Sequence, residues 1–122
     1  MKKLKKLFVP CSQSRQLKEL GFDEPCFGIF IDGNFNLIFT DRQVSDKVIS
    51  APIFAQAFEF FREKYQLLHS ITEYNKDGSL IIKIYQNKIV VLENMTNFDI
   101  TEYEETELVC LDKLIEITKN NK

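Results

Sequence analysis

The sequence predicts a single small α+β domain. Three observations carry that expectation. Apolar residues recur at helical spacing in two well-separated stretches, short β-branched and aromatic runs flank Asp-Gly and Asn-containing turns, and the composition is that of a globular chain. The 122 residues are 44% apolar and 28% charged, which argues against disorder or a fibrous class. A chain of this length buries roughly two thirds of its unfolded surface and needs no covalent staple. Phenylalanine is over-used, with 11 Phe and no Trp. That implies a core of flat rings, and any ring left outside it becomes a candidate contact with a partner.

Residues 1–10 form a basic N-terminal segment carrying Lys2, Lys3, Lys5 and Lys6, in which Pro10 stops an apolar run too short for an export signal. Ser12 to Leu20 reads as a short N-terminal helix, with Ser12 as the cap and Gly21 ending it in a left-handed conformation. Phe22-Asp23-Glu24-Pro25 reads as a turn. Phe27 to Thr40 follows as a β-hairpin divided at Asp32-Gly33-Asn34, residues that tolerate the positive φ of a tight reversal. That register places Phe27, Ile29 and Ile31 on one face with Phe35, Leu37 and Phe39, and turns Phe30 and Ile38 the other way.

Ser50-Ala51-Pro52 opens an amphipathic helix expected to run to about Leu68, with Ser as the cap and Pro in the first turn. Phe54, Ala57, Phe58, Phe61, Tyr65 and Leu68 share its core stripe, whereas Phe60 and Leu67 lie off it. A strand at His69 to Tyr74, a turn at Asp77-Gly78, and a second hairpin from Ser79 to Leu92 about Gln86-Asn87 give an antiparallel meander of two or three strands. The C-terminal helix is expected to open on the capping-box spacing Thr101-Glu102-Tyr103-Glu104. Its acids fall in the first two turns, where the helix dipole favours them. Tyr103, Cys110, Leu111, Leu114 and Ile117 form its inward stripe, and residues 118–122 form a fraying tail. Phe58 and Leu114 are expected to be buried.

The chemistry-bearing residues are sparse. Cys11, Cys26 and Cys110 are odd in number and widely spaced, which fits reduced thiols in a cytoplasm better than a disulfide framework. No CxxC spacing exists to join the single histidine in a zinc set, and the glycines at 21, 28, 33 and 78 are too scattered to cradle a phosphate. His69, placed at a helix end, reads as a dipole partner and not as a catalyst. No catalytic, metal or cofactor site is therefore expected, and no small-molecule substrate. No apolar run reaches the roughly 18 residues of a membrane span.

Charge is distributed unevenly under a net charge of −2. The first 22 residues carry a net +5, whereas Glu93 to Asp112 hold seven acids and no base. Lys2, Lys3, Lys5 and Lys6 form a candidate contact arm for phosphate or for an acidic partner. Phe60 has two readings. A second layer can cover it as core, or it can be an anchor ring that fills a partner pocket, with Arg62 and Lys64 as rim charge that aids encounter.

Three segments taken together, LKELGFDEPC (Leu17 to Cys26), APIFAQAFEFFREKY (Ala51 to Tyr65) and YEETELVCLDKLIEI (Tyr103 to Ile117), resemble a group of small uncharacterised proteins encoded by phages and prophages of Bacteroidetes-type bacteria. This chain departs from the group in having Phe at 60, where Trp is frequent, and in its basic start. The resemblance carries over no site residue. It implies a non-enzymatic phage accessory protein that binds a host protein, including inhibition of bacterial defence in the manner of an anti-CRISPR. The alternative is a small nucleic-acid-binding or regulatory protein of the phage cycle, making sequence-independent contacts within a nucleoprotein complex.

Overall fold

A computed structural model describes residues 2–43, 45–74 and 77–121 of the chain. It is an α+β structure, as the sequence pattern predicts, and its strands form two three-stranded antiparallel sheets. Two compact units can be distinguished, Met1–Ala57 and Phe58–Lys122.

In the first unit, a short helix α1 (Lys2–Lys5) precedes α2 (Cys11–Glu19). The cap of α2 is Pro10 and not Ser12, because proline's fixed φ, here −59°, leads directly into the helix. The buried Ser14 hydroxyl donates to the Val9 carbonyl at 3.0 Å and so ties the entry of the helix down. Gly21, at φ +99°, ends it as expected. The sheet has the order β2-β1-β3, from β1 (Gly28–Ile31), β2 (Asn34–Asn36) and β3 (Val48–Ala51).

The hairpin turn contains only Asp32 and Gly33, both at positive φ, so Asn34 is the first residue of β2 opposite Ile31. This corrects the expected register. Phe35 now pairs with Phe30, their rings 5.6 Å apart, because a shift of one residue exchanges the two faces of a strand. Phe8, Phe30, Ile49 and Ala51 form the apolar cluster of this sheet, with Cys11, Phe35 and Ile53 packed against it. A second correction concerns Ser50 and Ala51, which do not open a helix. They lie in β3, paired with β1, and the Ser50 amide donates to the Gln43 side chain at 3.2 Å. Helix α3 (Phe54–Tyr65) starts later and receives its end-cap from within, since Gln56 Oε1 accepts the Ile53 amide at 3.1 Å.

The second unit contains the rest of α3 and the meander β4 (Leu67–Glu73), β5 (Leu80–Gln86) and β6 (Ile89–Met95), in that spatial order. The meander takes its three-stranded form. Gln66, at φ +56°, ends α3 three residues before the expected limit and starts a strand. Leu67 and Leu68 therefore follow a period of two, which buries Leu67 and exposes Leu68, the reverse of their helical-wheel positions. His69 likewise lies in β4 and not at a helix end. The β5–β6 turn falls on Asn87 and Lys88, one residue later than expected.

Along β5, Leu80, Ile82 and Ile84 are buried. Ile81, Lys83 and Tyr85 alternate with them on the other face. Between Ile84, which faces Leu92, and Tyr85, which faces Val90, the register shifts, and Val91 is the extra residue of a bulge.

Helix α4 (Tyr103–Asn120) contacts β4 and β5. Its cap is not Thr101. The carboxylate of Asp99 accepts the Thr101 amide at 2.9 Å and Glu102 reaches back to the Asp99 amide, so the capping box lies two residues earlier and initiates the 3₁₀ turn η1 (Ile100–Glu102). Cys110, Leu111 and Leu114 are buried as expected, together with Phe58. Tyr103 is exposed, and Thr106, Ile115 and Thr118 take buried places on the helix instead. Residue 118 does not fray: its hydroxyl donates to the Leu114 carbonyl at 2.9 Å, and α4 continues to Asn120.

Candidate protein-docking surface

Phe60 is only 5% exposed, which removes it as a surface anchor. Its ring packs edge-on against Phe61 and Tyr65, at 5.4 Å and 5.7 Å between centroids, and so belongs to the core. The Lys64 ammonium lies 5.5 Å from the centroids of both Phe60 and Tyr65, a cation–π cover over the same rings. Arg62 pairs instead with Glu59 at 3.8 Å, one turn back on the exposed side of α3. The expected anchor with a charged rim is thus a capped core cluster. Lys5 and Lys6 are exposed in the other unit, and the side chains of Lys2 and Lys3 lie outside the described residues.

The exposed phenylalanine rings are Phe27 and Phe39, 63% and 57% accessible. Paired amides and carbonyls of Cys26 and Thr40, both bonds 2.8 Å, bring the two flanks of the hairpin together. Phe27 and Phe39 stand just inside that bridge with centroids 5.3 Å apart and planes tilted by 50°. Leu37 and Ile38 are also about half exposed, because β2 ends at Asn36 and the chain from 37 to 39 leaves the ladder. Reading strict alternation through Thr40 hides this patch, since it places Phe27 and Phe39 on a covered strand face. The signal that could have revealed it is four large apolar side chains in a segment longer than the paired strands.

The remaining reactive groups are quiet. Burial, with Glu24 beside one and Glu107 beside the other, pushes the Cys26 and Cys110 thiols up to about 12, so both are protonated at neutral pH and poor nucleophiles. All three cysteines are unpaired. Cys11 lines a cleft of about 350 Å³ with Phe30 and Ile49 below and Arg15, Asp32, Asp46 and Lys47 at its rim. The four charged residues are exposed, so water solvates the rim of the cleft. Among the described residues no three His, Cys, Asp or Glu side chains gather as a metal set, and no helix is long and apolar enough to cross a membrane.

His69 is stacked on Phe58, with centroids 3.9 Å apart and planes 21° from parallel. Burial, and then the positive charge of Arg62, lower its pKa below the ordinary 6.5. The unfolded chain therefore binds this proton more readily than the folded one. Its contribution to stability is fully present above pH 6.5 and is lost as the pH falls from there through the lowered folded value. Urea midpoints measured from neutral to mildly acidic pH are expected to fall on acidification. His69→Gln should flatten that slope, and an unchanged slope would remove His69 as its source.

No protein-family model, curated protein or solved structure matches the chain.

Proposed function

We propose that this chain is a non-enzymatic phage or prophage accessory protein that acts in the host cytoplasm by binding a host protein, as an inhibitor of bacterial defence of the anti-CRISPR kind. The observation that carries the binding role is the exposed pair Phe27 and Phe39 with Leu37 and Ile38 beside it. Rigid rings lose little entropy on being immobilised, and clustered exposed apolar side chains mark interaction sites more often than scattered ones do. Lys5 and Lys6, in the same unit, supply positive charge that speeds encounter with an acidic partner. The assignment to phage biology rests on the resemblance described above. The basic start favours a second reading, direct nucleic-acid contact, and one experiment separates the two.

The experiment is capture from bacterial lysate by the wild-type chain and by the double variant Phe27→Ser/Phe39→Ser, with and without nuclease. A defined protein should survive nuclease and be lost, by about a hundredfold or more in affinity, in the double variant, because two central anchor rings carry most of the binding energy of such a site. Both rings are largely solvated, so the circular dichroism spectrum should not change. Capture of nucleic acid alone, with an affinity that falls steeply as salt is raised, would overturn the reading in favour of the second.

A further inference from the structure

We propose that strand β6 is the self-association edge of this protein, pairing antiparallel with β6 of a second copy. In the order β4-β5-β6 this strand has a neighbour on one side only, so no strand among the described residues takes up the ladder donors and acceptors of its other edge. Natural edge strands are defended by lysines, prolines and inward-pointing charge. Here Ile89, Val90, Val91 and Met95 are all exposed, at 66%, 47%, 45% and 54%. The strand's only charged residue, Glu93, is held against Lys83 of the same sheet at 3.8 Å. The opposite edge, β4, has Leu68 exposed but is otherwise largely polar, with His69, Ser70, Thr72 and Glu73.

Charge and the bulge together point to a second copy as the occupant. Lys88 stands immediately before β6 and Glu93 in its second half, so antiparallel pairing about Val90 and Val91 sets Lys88 of each copy against Glu93 of the other. In a regular strand this register would oppose residues from different faces. The extra residue at Val91 corrects the parity. Leu92 shares the face of Ile84, and Ile89 shares that of Gln86, so Ile89 meets Leu92 of the other copy on one face, and Lys88, in the turn just ahead of Ile89, comes beside Glu93. Two equivalent salt links and two apolar pairs then close around a two-fold axis, the isologous arrangement most soluble dimers use.

Sedimentation equilibrium of the full chain tests this, with a readout independent of capture from lysate. The wild type should approach twice the chain mass between about 1 and about 500 µM. Lys88→Glu and Glu93→Lys, both at exposed positions, should each weaken association about tenfold or more, because like charges then face each other twice. Mixed in equal amounts, the two variants should dimerise again, since every facing pair is opposite in sign in the mixed dimer. A wild type that stays monomeric throughout, single variants that dimerise as well as the wild type, or a mixture that fails to recover would each overturn the proposal.

Discussion

Phe60→Ala is expected to destabilise the protein by about 3 to 5 kcal/mol, the range for truncating a buried aromatic ring and leaving a cavity. Three features set the magnitude. The ring is almost entirely buried, it makes edge-to-face contacts with Phe61 and Tyr65, and the Lys64 ammonium covers it. Urea unfolding should show a lower midpoint with an unchanged slope, since the loss is one of packing and not of unfolded-state compactness. Capture of the host partner, measured well below the midpoint, should be unchanged. A variant as stable as the wild type that no longer binds would restore Phe60 as the anchor.

Phe22→Ala is expected to cost a similar amount, about 3 to 5 kcal/mol. Phe22 is 1% exposed and lies in a segment without regular secondary structure, between α2 and β1. Its backbone is clamped on both sides. The Phe22 amide donates to the Leu17 carbonyl at 2.9 Å, and the Phe22 carbonyl accepts from the Gln43 side chain at 3.1 Å. The loop cannot easily collapse into the space the ring leaves, so the cost should fall in the upper part of the range. Asp23, the next residue, accepts the Gln43 amide but is exposed. Asp23→Ala should therefore cost well under half as much in the same denaturation series, and equal costs would show that the loop, not the ring, holds this region.

Both positions show what local sequence reading can and cannot reach. Phe22 sits in a run that reads as a turn, yet residues 22–25 form no turn, and periodicity has nothing to say about a core residue outside helices and strands. Phe60 falls off the helical stripe because a single-stripe wheel assumes one covered face, and α3 is covered on more than one. Turn chemistry was legible where a residue demands positive φ, as at Gly21, Gly33 and Gly78. It misled by one residue at Asn34 and at Gln86, because the first turn closes on Asp32 and Gly33 alone and the second on Asn87 and Lys88. Strand β3 was hidden because Ser50-Ala51-Pro52 is an equally good helix start until a sheet edge at β1 competes for its backbone. The candidate surface was legible only as composition, an excess of Phe. Which rings face water depends on where β2 leaves its ladder, and that is a tertiary outcome.

The order of strands has a kinetic consequence. In β4-β5-β6 each strand pairs with its neighbour in the chain, across connections of residues 74–79 and 87–88. In the other sheet β1 must find β3 across residues 32–47. Closing that longer loop loses roughly 1 to 2 kcal/mol more chain entropy than the short ones, so it lags them on a folding pathway governed by local contacts. During that interval the Phe30 and Ile49 side chains of the unfinished sheet are still open to solvent. Phe30 and Ile49, which flank that span, are therefore open to misassociation and accessible to a chaperone in a nascent chain.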